Sequence, residues 1–190
     1  MIYRLTNRPT QQYLFFLLQR DGALSKGREI GLDLGCNRMQ NRPVFHTGRY
    51  VGVDVDAVAL RNGQSKYPEA EAIHARIEAG EQFPDGDFVV CVQVFAKHFV
   101  FDKAVPALVQ VCNKVRKGGV LLINFGTKNM EQIPELRAVL AERFAAVEEV
   151  PYGISQKTTY FAPLIAAFDF FTRARPRAVQ KVYFRAVGRR

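Results

Sequence analysis

EIGLDLGCNRMQNRPVFHTGRYVGVDVD, residues 29–56, decides the fold of this chain, because it joins two short apolar runs through a glycine and a polar loop. The first run ends at Gly35, and the second ends in two carboxylates, Asp54 and Asp56. This order of strand, glycine turn, strand and acid is typical of the first half of a nucleotide-binding α/β unit. The glycine lets the backbone pass close to a ligand, and an acid at the end of the second strand can accept hydrogen bonds from both hydroxyls of a ribose.

Strands and helices alternate along the rest of the chain. FVVCVQVF at 88–95 and VLLINFG at 120–126 are nearly continuous apolar runs, which is typical of parallel strands buried on both faces. Asp56 predicts the cap of a helix over 57–66. In the loop 36–48, which contains NRMQNRP, only a short helix fits. The predicted fold class is therefore α/β, with a doubly wound sheet.

The length and composition fit one cytoplasmic domain. A chain of 190 residues with 48% apolar residues can bury a substantial core. No apolar run reaches the roughly 20 residues that span a bilayer, and no signal peptide is evident. The cysteines and histidines are dispersed, which predicts reduced thiols and no metal site; they are Cys36, Cys91, Cys112, His46, His74 and His98.

The formal net charge of +9 is concentrated at the C-terminus. Between Thr172 and Arg190 there is no acid, and the basic residues are Arg173, Arg175, Arg177, Lys181, Arg185, Arg189 and Arg190. Such a basic tail can contact the phosphates of a nucleic acid, an anionic membrane surface or an acidic substrate, and it serves equally well as a solvated face. Nucleic acid and peripheral membrane contact therefore stay open as partners.

Four segments together resemble the class I S-adenosylmethionine-dependent methyltransferases, in that family's order. LDLGC at 32–36 resembles the first motif, and RYVGVDVD at 49–56 resembles the second, whose acid binds the cofactor ribose. DFVVCVQVF at 87–95 is similar to the fourth-strand segment, which passes the bound sulfonium. VCNKVRKGGVLLINF at 111–125 resembles the helix, glycine turn and fifth strand that follow.

The resemblance implies a Rossmann-like seven-stranded sheet, mostly parallel, with an antiparallel last strand that AVQKVYFRAV near the C-terminus can supply. We expect a single methyltransferase-like domain over residues 1–190. Its expected parts are an N-terminal helical segment at 1–28, a cofactor-binding core at 29–152, a substrate-side insertion at 153–177, and the final strand and basic tail at 178–190.

The resemblance also implies S-adenosylmethionine as the cofactor. The residues expected to bind it are Asp33, Gly35, Cys36, Asn37, Arg38, Asp54, Val55, Gln93 and Val94. Residues 35–38 would hold the methionine end, helped by a helix N-terminus, and Asp54 would accept the ribose hydroxyls. Residues 93–95 would form the wall beside the methyl group.

The candidate catalytic residue is His98, whose unperturbed pKa suits removal of a proton from an acceptor hydroxyl. The alternative is that His98 begins the following helix and only packs or caps. Asp56 likewise has two interpretations, as a helix cap alone or as a second ribose contact.

Three positions depart from the family pattern. The turn 35–37 lacks the second glycine, although Asn37 tolerates a left-handed backbone. Residues 75–76 lack the acid that contacts adenine in relatives, so Glu78 or a backbone carbonyl would substitute. Residues 96–98 read Ala, Lys and His where many relatives have an acid and a histidine.

The expected activity is methyl transfer to a small-molecule or lipid- or sugar-linked acceptor, through an O, N or C nucleophile. A non-catalytic cofactor-binding or scaffold protein is an alternative, motivated by the departures. A nucleic-acid methyltransferase is another, but VQVF at 92–95 stands where amino-methylating relatives have an NPPY-like segment. A nicotinamide-dependent dehydrogenase is disfavoured, since Asn37 and Gln40 replace two glycines of GxGxxG. The expected partner is a small or lipid-like substrate, and the sequence gives no oligomeric state.

Overall fold

The computed structural model describes residues 9–78, 80–95, 98–99, 101–152, 171 and 181–190. The predicted insertion at 153–177 lies, except for Phe171, outside the described residues, and so do Ala96 and Lys97. The α-helices are α1 (Pro9–Asp21), α2 (Ala57–Lys66), α3 (Ala104–Asn113) and α4 (Ile133–Arg143). The strands are β1 (Ile30–Leu34), β2 (Arg49–Asp54), β3 (Glu71–His74), β4 (Gly86–Cys91), β5 (Val115–Phe125), β6 (Phe144–Tyr152) and β7 (Lys181–Arg189).

The strands form one seven-stranded sheet in the order β3-β2-β1-β4-β5-β7-β6. Neighbours from β3 to β5 pair in parallel, whereas β7 runs antiparallel to both β5 and β6. The predicted fold class, a mostly parallel seven-stranded sheet with an antiparallel last strand, is confirmed.

The direction of the strand order reverses at β1. From β1 the chain proceeds outward to β2 and β3, and it then returns to β4 on the other side of β1. Crossover connections on opposite sides of such a pair leave a crevice at the carboxyl ends of the strands. The sheet topology therefore predicts a ligand site beside the ends of β1 and β4.

The central strands are buried on both faces, as their apolar runs predict. Leu32 and Leu34 belong to the apolar cluster that includes residues of α3 and α4. Phe88 and Val90 belong to the opposite cluster, which includes residues of α1, α2 and the loop after β1. Alternate residues of each strand thus anchor different layers.

The loop 35–48 lies directly on the sheet, and its only helical turn is a three-residue 3₁₀ helix, Arg42–Val44. Three glycines make room for it. A Cβ on Gly31 would lie 2.5 Å from Phe45 Cδ1, and one on Gly63 would lie 2.8 Å from Met39 Cγ. A Cβ on Gly52 would lie 2.9 Å from Cys36 Sγ. The short helix expected in this loop is a single 3₁₀ turn, and the glycines beneath it let the loop pack closely.

The sequence predictions for the helix over 57–66 and for the strand over 88–95 have opposite outcomes. The helix over 57–66 with Asp56 as its cap is confirmed, since the Asp56 side chain accepts hydrogen bonds from the backbone N–H groups of Val58 and Ala59. The strand predicted over 88–95 is too long, because β4 ends at Cys91. Gln93 has a φ of 65°, a left-handed backbone that a strand cannot contain.

The RKGG segment at 116–119 does not close the helix before it, as its glycines would suggest. Instead α3 ends at Asn113, and the segment lies inside β5. The pairing of β4 with β5 shifts register there, from Gly86 opposite Val115 to Phe88 opposite Val120. Gly118, with a φ of 76°, supplies the left-handed residue of this bulge.

Within the part of the chain that the structure describes, no helix has both the length and the apolar character needed to cross a membrane.

Candidate functional site

A cleft of about 680 Å³ opens at the carboxyl ends of β1, β2, β3 and β4. It is lined by Gln11, Gly35, Cys36, Asn37, Gln40, Asn41, Asp54, Val55, Asp56, Ala75, Arg76, Ile77, Glu78, Val92, Gln93, Val94, His98, Phe99 and Lys103. The site that the topology predicts is thus present, and most of the residues singled out from the sequence contribute to its wall.

The turn after β1 keeps a left-handed shape without a second glycine. Gly35 has a φ of 73° and Asn37 a φ of 50°. The backbone N–H groups of Gly35 and Cys36 both donate to the carbonyl oxygen of Val53, at 2.8 and 3.1 Å. These two donors are therefore used to fasten the turn to β2, and Asn37 takes the backbone conformation that its residue type tolerates.

Asp54, at the end of β2, ties this turn to the start of α2. Its Oδ2 accepts a hydrogen bond from the backbone N–H of Asn37 at 2.7 Å, and its Oδ1 accepts one from Asp56 N–H at 2.9 Å. A carboxylate has about four acceptor positions, so each oxygen of the half-buried Asp54 can accept a further hydrogen bond. The carboxylate is oriented by the backbone and retains capacity for a ligand.

The next two residues differ in role. Val55 is 56% exposed and presents an apolar surface to the cleft. Asp56 lines the cleft too, but its Oδ1 accepts from Val58 N–H at 3.0 Å and from Ala59 N–H at 2.9 Å. Of the two interpretations of Asp56, the helix cap is thus directly observed.

The segment after β3 lines the cleft with residues 75–78. Glu78 pairs with Arg76 at 3.1 Å, and both side chains are exposed. Desolvation opposes ionisation of Glu78, but hydrogen bonds from its own backbone N–H and from Arg76 hold the pKa of its carboxyl below the usual value. A carboxylate is therefore present close to the position where the family acid is missing.

The segment after β4 forms the opposite wall of the cleft. Gln93 and Val94 line it, and a Cβ on Gly35 would lie 2.3 Å from Val94 Cγ2. The turn after β1 and the turn after β4 are therefore in direct contact, and a residue larger than glycine at position 35 would separate them.

His98, Phe99 and Lys103 line the far side of the cleft. The His98 side chain is exposed, and its backbone N–H donates to the carbonyl oxygen of Val94 at 2.9 Å. Since α3 begins at Ala104, His98 does not begin that helix. Its imidazole is accessible from the cleft.

Asp33 and Arg38 are the two predicted cofactor contacts that do not line the cleft. Arg38 is exposed. Asp33 is 0% exposed; its Oδ1 accepts from Asn41 Nδ2 at 3.1 Å, and its Oδ2 accepts from the Tyr50 hydroxyl at 2.8 Å. Because side chains alternate along a strand, Asp33 points into the layer under the loop rather than into the cleft.

Burial raises the pKa of Asp33 to about 7, although the hydrogen bonds from Asn41 and Tyr50 favour its charged form. The charge of Asp54 raises this pKa further. Asp33 therefore changes its protonation state close to neutral pH beneath the wall of the cleft.

Five polar lining residues were not predicted from the sequence: Gln11, Gln40, Asn41, Arg76 and Lys103. Gln11 comes from α1 and Lys103 from the 3₁₀ turn before α3, so neither belongs to a strand-end motif. Gln40 and Asn41 lie in the loop whose backbone course the sequence pattern does not specify.

Comparison with known proteins gives a family match over part of the chain. The model of a methyltransferase domain family matches residues 32–123. Among curated proteins, no significant match to the chain is found.

Solved structures share the fold at low identity. The N-methyltransferase NodS from Bradyrhizobium japonicum WM9 has a TM-score of 0.69 and 15% identity, over 96% of this chain and 98% of that chain. NodS in complex with S-adenosyl-L-homocysteine has a TM-score of 0.70 and 15% identity, over 98% of this chain and 91% of that chain. The plantazolicin methyltransferase BamL, solved with a triazolic desmethylPZN analog and S-adenosylhomocysteine, has a TM-score of 0.65 and 12% identity, over 95% of this chain and 86% of that chain.

The family match covers the strand-end segments that build the cleft, and the sheet order and the antiparallel β7 agree with the same fold. The chain therefore has the fold of these methyltransferases, and its residues 32–123 match the methyltransferase domain family.

Proposed function

We propose that this protein transfers the methyl group of S-adenosylmethionine to a small-molecule or lipid- or sugar-linked acceptor bound beside His98. The observation that carries the proposal is the position of Asp54, whose carboxylate faces the cleft with free acceptor capacity next to the exposed Val55. An acid and an apolar surface side by side are what a ribose and its attached base require.

The cofactor's adenosine end fits the wall formed by β2 and β3. Asp54 would accept hydrogen bonds from the two ribose hydroxyls, and Val55 would pack against the adenine ring. The exocyclic amino group of adenine is a donor, and the Glu78 carboxylate, paired with Arg76 at 3.1 Å, is the acceptor nearest to the family's missing acid. Glu78 would therefore take the place of that acid in this chain.

For the methionine end, the structure offers groups other than the helix N-terminus expected from the sequence. Residues 35–48 contain no α-helix whose N-terminus could lie beneath a carboxylate, and the N–H groups of Gly35 and Cys36 are already bonded to Val53. Amide side chains line this part of the cleft instead: Gln11, Gln40, Asn41 and Gln93. Each amide carries two donor hydrogens, so this set can bind the carboxylate without a helix dipole.

Bound S-adenosylmethionine supplies a methyl group on a positively charged sulfur, which is a good leaving group. The protein's contribution is alignment, and effective molarities on the order of 10⁵ M or more come from such positioning. Gln93 and Val94 exclude water on one side of the reacting centre. His98 accepts the proton that a hydroxyl or amine acceptor loses.

The structural neighbours support a small acceptor. One of them is an N-methyltransferase, and another was solved with a triazolic desmethylPZN analog. The described basic residues on this side of the cleft, His98 and Lys103, suit an acceptor that carries an anionic group.

Calorimetric titration of the protein with S-adenosylhomocysteine tests the proposal. Asp54→Asn replaces one acceptor oxygen by a donor, and we expect the affinity to fall about 10- to 100-fold, as for the loss of a hydrogen bond to a charged group. Asp85→Asn is the matched control. Asp85 pairs with Lys114 and precedes β4 at the opposite edge of the sheet, so the affinity should not change.

Turnover distinguishes an enzyme from a binding protein. Radiolabelled S-adenosylmethionine is incubated with candidate hydroxyl and amine acceptors, with wild-type protein and with His98→Gln. Methyl incorporation that falls in the variant, with unchanged affinity for S-adenosylhomocysteine, supports the assigned role of His98. Absence of binding by the wild-type protein would refute the proposal, and binding without transfer to any acceptor would favour the scaffold alternative.

A further inference from the structure

Gln93 carries a strained backbone at the centre of the candidate site. Its φ of 65° lies in the left-handed region, which costs little for glycine but is unfavourable for a residue with a side chain. Strained residues persist only where surrounding contacts hold them, and they cluster at ligand sites. Because Gln93 lines the cleft, the contact that holds its backbone in this conformation also bears on the shape of the cleft.

The holding contact comes from Asn124, the penultimate residue of β5. The Asn124 Oδ1 accepts a hydrogen bond from the backbone N–H of Gln93 at 2.6 Å. Asn124 is 0% exposed and stands between two buried apolar residues, Ile123 and Phe125. A buried amide in an otherwise apolar strand is unfavourable unless its donors and acceptor are used.

The other end of the Asn124 amide is also bonded. Its Nδ2 donates to the hydroxyl of Tyr152 at 3.0 Å. Tyr152, at the end of β6, stacks on Tyr13 of α1 with ring centroids 5.5 Å apart and planes inclined by 18°. Contacts from two strands and a helix thus fix the orientation of the amide, and the amide in turn fixes the backbone of Gln93.

The conformation of Gln93 determines where the next residue lies. Val94 follows it, and a Cβ on Gly35 would come within 2.3 Å of the Val94 Cγ2. The left-handed Gln93 therefore directs Val94 onto the turn after β1, so that both walls of the cleft meet. If Gln93 relaxed to an extended backbone, the chain direction after β4 would change and this contact would be lost.

We propose that Asn124 is a positioning residue, which holds Gln93 in the left-handed conformation and thereby keeps the Gln93–Val94 wall in the arrangement that binds S-adenosylmethionine. The inference rests on the proposed function of the cleft. Asn124 itself does not line the cleft, so it acts through Gln93.

Asn124→Leu, which removes both hydrogen bonds at similar size, is the first test, and calorimetry with S-adenosylhomocysteine is the measurement. We expect the affinity to fall about tenfold or more, because the hydrogen bond that holds Gln93 is lost. Circular dichroism shows whether the variant is folded.

The rescue experiment separates positioning from general stability. In the Asn124→Leu protein, Gln93→Gly and Gln93→Ala both remove the Gln93 side chain, but only glycine adopts a positive φ without penalty. Both substitutions lose the Gln93 amide equally, so we expect the Gln93→Gly double variant to bind at least about threefold more tightly than the Gln93→Ala double variant. Equal behaviour of the two double variants would overturn the proposal, since a purely structural role for Asn124 makes no distinction between them.

The same pair of substitutions in the otherwise wild-type chain keeps the test decisive if Asn124→Leu does not fold. There Gln93→Gly should bind S-adenosylhomocysteine more tightly than Gln93→Ala, and equal affinities would contradict a requirement for the left-handed backbone. Failure of the wild-type protein to bind refutes the proposed function instead. Wild-type binding with an unchanged affinity in folded Asn124→Leu refutes this inference alone.

Discussion

Replacing Asp33 by asparagine should change how the stability of the protein depends on pH. Asp33 is fully buried, and its carboxylate accepts hydrogen bonds from Asn41 and Tyr50. Burial raises its pKa from 3.8 to about 7. The folded protein therefore retains a proton on Asp33, between about pH 4 and pH 7, that the unfolded chain has already released.

The sign and the size follow from proton linkage. Because the folded state binds the extra proton, the free energy of unfolding falls as pH rises through this window, and the loss is complete above about pH 7. The pKa difference of about three units corresponds to about 4 kcal/mol at about 1.36 kcal/mol per unit. Between about pH 5 and pH 8 the calculated loss is about 2–3 kcal/mol.

The asparagine of the Asp33→Asn variant has nearly the same size as the native aspartate and does not titrate. The difference in unfolding free energy, Asp33→Asn minus wild type, should therefore rise by about 2–3 kcal/mol from about pH 5 to pH 8. Urea denaturation followed by circular dichroism at several pH values measures it. Ile30→Val is the control, because it lowers stability without changing any titratable group, and its difference from wild type should be independent of pH.

A second variant tests the cause of the shift. Tyr50→Phe removes a hydrogen bond that favours the charged form of Asp33, so the pKa should rise further and the fall in stability should extend to higher pH. If the difference between Asp33→Asn and wild type is instead constant from about pH 5 to pH 8, Asp33 is ionised throughout that range and the argument from burial is wrong.

Two further substitutions test the strand-end turns. Asp56→Ala removes the cap of α2 and should lower the free energy of unfolding by about 1 kcal/mol. Asp56→Ser can still cap the helix and should lower it less. Thermal or urea denaturation compares the two variants, and equal losses would contradict the capping role. Gly35→Ala introduces a Cβ 2.3 Å from Val94 Cγ2 at a φ of 73°, so both stability and affinity for S-adenosylhomocysteine should fall. Adding Val94→Ala restores the space but not the backbone preference, and we expect partial recovery; full recovery would show that the backbone conformation is unimportant.

The sequence predicts best what depends on local pattern. The helix Ala57–Lys66 has the predicted bounds, because an Asp cap begins it, and the strand Ile30–Leu34 ends at the predicted glycine turn. Gly35, Asp54 and Val94 lie in one cleft because the ends of neighbouring parallel strands meet at one edge of the sheet.

The remaining features depend on contacts between distant residues. Asn124 of β5 accepts a hydrogen bond from the backbone N–H of Gln93, which follows the end of the neighbouring strand β4. This hydrogen bond stabilises the left-handed backbone of Gln93. Gln11 enters the cleft only because α1 packs on the sheet. Strand alternation directs Asp33 away from the cleft, but its partners Asn41 and Tyr50 become apparent only when the loop has folded.

Because the loop 35–48 packs on glycines, some residues in and beneath it can be replaced only together. A Cβ on Gly52 would lie 2.9 Å from the Sγ of Cys36, so these two positions share a single volume too small for both an alanine and a cysteine. Chains that keep this loop should therefore show correlated replacement, in which alanine at position 52 occurs with glycine or alanine at position 36. A chain with a conventional helix after β1 would instead carry larger residues at positions 36 and 52, because these would hold the connection away from the sheet.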